Sequence, residues 1–270
     1  MRARKRFGQH FLHDPAVLER LTRAIGIRAG DHIVEIGPGR GALTRKLLET
    51  PLATLDTIEI DRDLAARLRA DLAAQPRARL HEADALEFDF AKLAAERGGR
   101  LRIVGNLPYN ISTPLLFHLL ESLQALEDLH VMLQREVVAR IAARPGTREY
   151  GRLTVMLAPW LQAERLFDIG PGAFQPPPKV WSAVVRLTVR PEPAFIVSPQ
   201  YPRVVAAAFA HRRKTLRNAL QGLLSGAQIE ACGVDPTARP ETLDAAAFNE
   251  LARRAIATDA SPSPTPATMG

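Results

Sequence analysis

The stretch HIVEIGPGRG, residues 32–41, joins an apolar β-strand to a turn with three glycines. Leucines at helical spacing follow the turn: Leu43, Leu47 and Leu48. A strand, a glycine turn and a helix in this order form the first unit of an open parallel sheet, where the turn lets a ligand approach the backbone. The dinucleotide fingerprint GxGxxG is not matched, because Ala42 stands three residues beyond Gly39. The turn alone is therefore a weak indication of a ligand crevice.

Further strands and helices alternate on both sides of this unit. Upstream, Asp14 as N-cap and Pro15 at the first helical position predict a helix over DPAVLERLTRAIG. Downstream, strands are predicted in LDTIEI, ARLHEAD, RLRIVGN and LHVMLQ, with helices between several of them. This alternation predicts an α/β fold with a doubly wound, mainly parallel sheet. The proline-rich segment 170–187 is expected to form a shaped loop that leads into a late strand.

Composition changes divide the chain into three expected parts. Residues 1–195 would form the sheet domain, which includes a basic N-terminal arm. Residues 196–257 are rich in alanine and leucine at helical spacing and would form a smaller helical domain. Residues 258–270 contain TDASPSPTPATMG and have the composition of a disordered tail.

The charge balance favours polyanionic partners. The chain has 36 Lys and Arg against 29 Asp and Glu, a net charge of +7, although a merely basic enzyme is equally compatible with that value. The single Cys232 excludes an internal disulfide and a cysteine-rich metal site, and the seven histidines form no metal-binding motif. The N-terminus lacks the apolar segment of a secretion signal, and no run reaches the ~18 apolar residues of a membrane span. A cytoplasmic protein without a metal site is expected.

Polar residues stand at the ends of successive predicted strands. Glu59 ends the second strand and lies 20 residues beyond Gly39 (59 − 39), where an acid accepts hydrogen bonds from a ribose diol. Asp84 follows the third strand and could accept from an adenine amino group, or could instead cap the next helix. The tetrapeptide NLPY, residues 106–109, follows the fourth strand. Together they predict a crevice for a nucleoside-containing cofactor.

The order EIGPGRG, IEID, EADA and NLPY resembles the S-adenosylmethionine-dependent methyltransferases. Six stretches make the resemblance more specific: FGQHFL at 7–12, GNLPYNISTPLLF at 105–117, QREV at 134–137, YGRL at 150–153, AFQPPPKVWSAVVRL at 173–187 and FAHRRKTLRNAL at 209–220. They occur in the order typical of the ribosomal RNA adenine dimethyltransferases, and the resemblance extends from residue 2 to about residue 250. Two departures are visible: His10 stands where many members have Asn, and Trp181 stands where an acidic residue is common.

The resemblance implies a fold, a reaction and partners. The fold would be a Rossmann-like class I methyltransferase sheet with a small C-terminal helical domain. The reaction would transfer methyl groups from S-adenosylmethionine to N6 of two adjacent adenosines in a hairpin loop near the 3′ end of small-subunit ribosomal RNA. The partners would be that RNA and the immature small ribosomal subunit, and the protein is expected to be a monomer.

The chemistry of N6 suggests roles for the NLPY residues. Its lone pair is delocalised into the ring, so groups that accept its protons would make it a better nucleophile. We expect the Asn106 side-chain oxygen and the Leu107 carbonyl to be these acceptors, with Pro108 fixing the turn. Tyr109 would stack on the adenine, and Phe174 would either cover its other face or simply anchor its loop. A strand-end cap is the alternative role for Asn106.

The resemblance also implies two binding sets. The cofactor-binding set, which has Gln9 nearby, is His10, Leu12, Gly37, Gly39, Glu59, Asp84 and Asn106. The RNA-binding set is Arg4, Lys5, Arg6, Arg212, Arg213, Lys214 and Arg217, although the last four could also form a solvated helix face.

Four other functions stay open from sequence alone. A related antibiotic-resistance methylase of large-subunit RNA is the nearest, and AFQPPPKV, HRRKTLRN and the helical C-terminal region argue against it. A DNA adenine-N6 methylase would usually have two prolines in the tetrapeptide. A catalytically inactive assembly factor would not need an intact NLPY, and a dinucleotide oxidoreductase would need a nicotinamide site.

Overall fold

The structure is a computed structural model that describes residues 10–211 and 213–259. Five residues singled out above lie outside these ranges: Arg4, Lys5, Arg6, Gln9 and Arg212. The chain forms two compact units. The first comprises Met1–Ala142 and Trp160–Arg190, and the second comprises Ala143–Pro159 and Pro191–Gly270.

The unit boundaries differ in two respects from the expected division at residues 195 and 196. The second unit begins at Pro191 in this part of the chain, and it also includes residues 143–159, which the composition did not single out. These residues join it because their helix packs into its core, where the Tyr201 hydroxyl donates to the Val155 carbonyl at 2.9 Å. The tail was expected from residue 258, whereas a helix runs to Asp259; residues 260–270 are not among those described.

Nine strands lie in the first unit: β1 Phe11–Leu12, β2 His32–Ile36, β3 Thr54–Glu59, β4 Ala78–Glu82, β5 Leu101–Asn106, β6 Leu126–Gln134, β7 Leu161–Ile169, β8 Phe174–Gln175 and β9 Ser182–Val189. That count refers to the described residues. Seven form one sheet in the order β4-β3-β2-β5-β6-β9-β7. Pairing is parallel from β4 to β6 and antiparallel at β6–β9 and β9–β7, so the predicted α/β fold is confirmed. β1 and β8 form a separate antiparallel pair.

Within the described residues, six helices accompany this sheet: α1 Pro15–Ile25, α2 Ala42–Leu48, α3 Arg62–Leu72, α4 Phe90–Arg97, α5 Ser112–Glu121 and α6 Arg135–Ile141. The start of α1 is as predicted. The Asp14 side chain accepts hydrogen bonds from the backbone N–H groups of Ala16 and Val17, at 2.8 and 3.1 Å, and Pro15 opens the helix. The buried face of α1 packs into the same core as β2 and β3.

A buried ion-pair network fixes the end of α1 to the sheet. Arg102 on β5 donates to Asp31 at 2.5 Å and to Asp128 at 2.7 Å, and all three residues are buried. It also donates to the carbonyl of Ile25, the last residue of α1. Two carboxylates and a helix-end carbonyl thus satisfy the guanidinium donors, as a buried charge requires.

The strand order reverses between β2 and β5, where a ligand crevice is expected in a doubly wound sheet. The backbones approach closely there. Gly105 has φ 156°, and a Cβ atom on it would lie 2.4 Å from the Ile36 carbonyl oxygen. Only glycine allows this approach, which brings the end of β5 beside the glycine turn after β2.

The second unit is helical, with α7 Arg152–Leu157, α8 Tyr201–Phe209, α9 Leu216–Ala219, α10 Gly226–Glu230 and α11 Ala245–Asp259. Its own core includes Tyr201 and Phe248, both buried. Asn249 fastens the segment before α8, because its side chain accepts from Ser198 N–H at 2.8 Å and donates to the Ile196 carbonyl at 2.9 Å. Over the whole described part of the chain, no helix has the length and apolar character needed to cross a bilayer.

Candidate active site

A cleft opens at the carboxyl ends of β2, β3, β4 and β5. It encloses about 900 Å³, including space open to solvent. The predicted residues that line it are His10, Gly37, Gly39, Glu59, Asp84, Asn106, Leu107, Pro108 and Tyr109. Leu12 lines a smaller cleft that shares His10, Gly37, Gly39 and Asn106 with the first. The structure therefore brings nearly all of the predicted site residues of the first unit together.

The glycine turn shapes one wall of this cleft. Gly37 and Gly39 both have positive φ, at 66° and 58°. A Cβ atom on Gly39 would lie 2.9 Å from the Phe11 ring, so a side chain there would displace β1. The turn is held in place because the Gly39 N–H donates to the Glu59 carboxylate at 3.1 Å. Gly39 is thus needed for conformation and for space, and Gly37 is needed for conformation.

Glu59 is a buried carboxylate, 5% exposed, at the end of β3. It accepts from the backbone N–H groups of Gly39 and Asp61, at 3.1 and 2.9 Å. Burial raises the pKa of Glu59, against the opposing effect of these hydrogen bonds. A carboxylate has about four acceptor sites, so it can still accept from ligand hydroxyls, and its chemistry fits a ribose diol.

The neighbouring wall fits a flat heterocycle. Asp84 accepts from Leu86 N–H through one carboxylate oxygen at 2.9 Å, in a turn that fixes its side chain at the cleft. Three apolar side chains that the sequence reasoning did not single out line the same region: Ile60, Leu64 and Ala85. Ile60 is 47% exposed, which is unusual for isoleucine and is consistent with a role in covering a ligand ring.

The contacts of Asn106 fix the direction of its amide. Its Nδ2 donates to the His10 carbonyl oxygen at 2.8 Å. Because a carbonyl oxygen can only accept, the NH₂ group must face His10, and Oδ1 remains an acceptor for a ligand. The side chain lines both clefts, at the point where they meet.

Tyr109 is held on two sides. Its hydroxyl shares a hydrogen bond with the buried Ser182 at 2.8 Å, and its ring stacks on the His10 ring with centroids 5.9 Å apart. The Nδ1 atom of His10 in turn donates to the Pro176 carbonyl at 2.8 Å. Burial raises the pKa of Tyr109, so its phenol stays neutral at physiological pH. Ser182 was not predicted, because only the fold brings β9 to the NLPY turn.

Phe174 is the exception among the predicted site residues. Its ring is 2% exposed and belongs to the hydrophobic core, where its backbone pairs with Leu12 across β1 and β8. It lines neither cleft. In this structure Phe174 anchors the loop, and its stack on the second face of a base stays a prediction. The ring packs in the hydrophobic core, which agrees with the alternative role of a loop anchor.

Glu35 is a site residue that sequence reasoning missed. It lies on β2 with 2% exposure, lines the smaller cleft and accepts from the Thr44 hydroxyl at 2.6 Å. Burial raises the pKa of Glu35 to about 7, with Glu59 adding a smaller repulsive contribution. An acidic residue inside the apolar run IVEI was the signal that could have indicated it.

The predicted RNA-binding residues are separate in sequence from the residues that line the clefts. Arg213, Lys214 and Arg217 belong to the second unit and are exposed. The other four lie outside the described residues.

Comparisons with known proteins show which family the chain belongs to. The family model described as ribosomal RNA adenine dimethylase matches residues 1–256. The chain is 56% identical to ribosomal RNA small subunit methyltransferase A of Pseudomonas aeruginosa over 255 residues, covering 94% of each chain. It is 58% identical to the protein of the same name from Nitrosococcus oceani over 254 residues, covering 93% of this chain and 96% of that one.

Two solved structures are similar in fold. A dimethyladenosine transferase from Plasmodium falciparum has a TM-score of 0.75 at 24% identity, over 90% of this chain and 96% of that one. The 23S rRNA methyltransferase ErmE has a TM-score of 0.71 at 27% identity, over 91% of this chain and 99% of that one. The class I methyltransferase fold predicted from the sequence is confirmed.

The raised pKa of Glu35 predicts a pH-dependent stability. A rise from 4.5 to about 7 means that the folded protein holds this proton more tightly than the unfolded chain does. Stability from this group is complete below pH ~4.5 and declines as pH rises to about 7. Glu35→Gln should therefore gain ~2 kcal/mol in free energy of unfolding, relative to the unchanged protein, between pH 5 and pH 8. Urea unfolding at both pH values measures this difference, with the exposed Glu87→Gln as control. An equal difference at the two pH values would contradict the assignment.

Proposed function

Because the chain belongs to the ribosomal RNA adenine dimethylase family, whose methyl donor is S-adenosylmethionine, we propose that its cleft dimethylates adenosine N6 in small-subunit ribosomal RNA. The targets are two adjacent adenosines in a hairpin loop near the 3′ end, modified during subunit assembly. Bases in such loops can be splayed out and presented singly to a pocket. The observation that carries the proposal is the free Oδ1 acceptor of Asn106, placed where the nucleoside-binding wall meets the NLPY turn.

The wall that contains Glu59 and Asp84 would hold the nucleoside of S-adenosylmethionine. When bound, S-adenosylmethionine supplies an activated methyl group on a positively charged sulfur. Glu59 accepts from the ribose hydroxyls, Asp84 accepts from the adenine amino group, and Ile60 packs against the ring. The turn at Gly37 and Gly39 lets the ligand approach the backbone. Leu12 in β1 and His10, the residue before β1, close the site on the other side.

Asn106 and Leu107 would prepare the target nitrogen. The Asn106 Oδ1 and the Leu107 carbonyl accept hydrogen bonds from the two N6–H groups and thereby return electron density to the lone pair. Leu107 is buried, and its N–H donates to the Met132 carbonyl at 3.1 Å, which holds the peptide in place. Pro108 restricts the next φ angle. The nitrogen is cationic after the first methyl transfer and loses one of its two protons to solvent. A single N6–H group then remains, so one of the two acceptors is enough for the second transfer.

Tyr109 would supply the stacking surface for the adenine. Its ring is fixed at the hydroxyl by Ser182 and at one face by His10. The reaction then needs alignment and exclusion of water more than a strong base. The neutral side chains of Asn106 and Tyr109 match that requirement. His10, which departs from the more common Asn, acts through its ring contact with Tyr109 and its carbonyl contact with Asn106.

The comparisons separate this function from its rivals. Identities of 56% and 58% to small-subunit methyltransferases exceed the 27% to the 23S rRNA methyltransferase ErmE, which favours the small subunit as the target. The retained NLPY geometry argues against a catalytically inactive assembly factor. The same features do not favour DNA as the substrate or a nicotinamide dinucleotide as the cofactor.

The substrate and its setting are part of the proposal. The exposed Arg213, Lys214 and Arg217 of the second unit would contact RNA phosphates, together with Arg4, Lys5, Arg6 and Arg212. The partner would be an immature small ribosomal subunit, which a monomer would bind in the cytoplasm. The net charge of +7 supports association with such a polyanion.

Removal of the Glu59 carboxylate should weaken cofactor binding. Glu59→Ala loses charge-assisted hydrogen bonds worth about 1.5 to 3 kcal/mol, so the Kd for S-adenosylmethionine should rise by roughly tenfold to a hundredfold. Isothermal titration calorimetry measures it, with the exposed Glu87→Ala as the matched control. An unchanged Kd would remove Glu59 from the site.

Removal of the Asn106 amide should suppress methyl transfer rather than RNA binding. Asn106→Ala eliminates an aligned acceptor, and we expect kcat to fall by about a hundredfold or more at saturating S-adenosylmethionine. Single-turnover methylation of small subunits measures the rate, and RNA affinity serves as the control. A variant that keeps wild-type kcat would refute the proposed role of NLPY.

Reversal of charge on the second unit should reduce the salt dependence of RNA binding. Arg213→Glu combined with Lys214→Glu should lower the slope of log K against log salt by about 1 to 2, since each lost phosphate contact contributes ~0.7 to 0.9. Lys92→Glu combined with Arg100→Glu, on the first unit, gives the same change in net charge. Equal slopes in both double variants would show that net charge, and not a local contact, governs the binding.

A further inference from the structure

An exposed aromatic side chain lies beside the candidate active site without lining it. Trp181 is 48% exposed and its neighbour Val180 is 44% exposed, which makes them two of the few large apolar residues on the described surface. The next residue, Ser182, holds the Tyr109 hydroxyl at 2.8 Å. Trp181 is therefore one residue away from the contact that positions the base-stacking tyrosine.

Arg135 and Gly170 both lie close to Trp181. Arg135 N–H donates to the Trp181 carbonyl at 2.9 Å, and the Arg135 guanidinium carbon lies 5.7 Å from the centre of the ring. Gly170 lies against the other part of the indole, because a Cβ atom there would be 3.6 Å from it, at ordinary contact distance. A ring with little freedom loses little conformational entropy when a ligand stacks on it.

The charges around Trp181 select a polyanionic partner. Arg135 and Lys179 are both exposed; the Arg135 guanidinium lies over the ring, and Lys179 precedes Trp181 by two residues. An aromatic face flanked by cations is the arrangement that proteins use for nucleotides, where the base stacks and the phosphate meets the positive charge.

The direction of the chain indicates which nucleotide Trp181 can reach. Successive side chains of an extended segment point to opposite sides, and Ser182 points to Tyr109. Trp181 therefore faces away from the pocket that would hold the target adenine, at the same end of the sheet. It is suited to a base that neighbours the target, outside the cleft.

We propose that Trp181 is a stacking platform for an unpaired nucleotide adjacent to the target adenosines, with Arg135 and Lys179 contacting the flanking phosphates. This inference rests on the proposed function, since it assumes that the cleft holds an adenine of RNA. It assigns to Trp181, which departs from the residue type common in the family, a role in substrate affinity for this chain.

Fluorescence gives a direct readout of stacking. The chain contains two tryptophans, Trp160 and Trp181, so Trp160→Phe leaves Trp181 as the sole indole. Titration with an RNA hairpin whose loop carries two adjacent adenosines should quench its emission with saturation. A fully paired duplex of the same composition should quench it weakly. Equal quenching by both RNAs, or by protein self-association without RNA, would overturn the proposal.

Steady-state methylation separates stacking from packing. Trp181→Leu keeps apolar bulk but removes the aromatic face, whereas Trp181→Phe keeps a face. We expect Trp181→Leu to raise KM for the RNA by about fivefold to a hundredfold, from the usual range for loss of one stacked base, with kcat at saturating RNA unchanged. Trp181→Phe should recover most of that loss.

Two results would refute the platform in distinguishable ways. A lowered kcat and a lowered Tm in both variants would show that Trp181 merely supports the loop that carries Ser182. Wild-type KM in Trp181→Leu, with methyl transfer intact, would show that RNA does not touch the ring. If the unchanged protein transfers no methyl group, the proposed function itself fails. That result differs from the two above, which refute only the role of Trp181.

Discussion

The close approach of β5 to β2 is the constraint on which the site depends. With no side chain on Gly105, the two backbones come near enough that a single Cβ atom would collide with the Ile36 carbonyl at 2.4 Å. This approach sets the end of β5 beside the glycine turn, so that Asn106, the first residue of NLPY, lies where the two clefts meet. A larger residue would separate the strands and with them the two halves of the cleft.

Around this point, backbone groups satisfy part of the hydrogen-bonding capacity of each polar side chain. The remaining capacity is available to ligands. Glu59 accepts two backbone N–H groups, and Asn106 donates its amide hydrogen to the His10 carbonyl. What remains unused on each is acceptor capacity. A site rich in acceptors suits a reaction in which the donor is already activated and the nucleophile is a weakly basic amino group. The elevated pKa of Tyr109 belongs to the same pattern, because it keeps that wall neutral.

Sequence reasoning predicted those parts of the site that follow from the geometry of parallel strands. The carboxyl ends of such strands meet at one edge, so Gly39, Glu59, Asp84 and NLPY could be placed together without coordinates. It did not predict features that depend on tertiary packing. The Ser182 contact requires the antiparallel return of β9, and the inward position of Phe174 follows from the pairing of β8 with β1. The second unit also takes up residues 143–159, which no composition change marks.

The most direct test of the account is to map methylated adenosines in small subunits that lack the modification, after incubation with the purified protein and S-adenosylmethionine. Digestion and mass spectrometry of the RNA should find N6,N6-dimethyladenosine at two adjacent positions of one hairpin loop near the 3′ end. Tight binding to the subunit without any methyl transfer would contradict the account, and so would dimethyladenosine confined to large-subunit RNA.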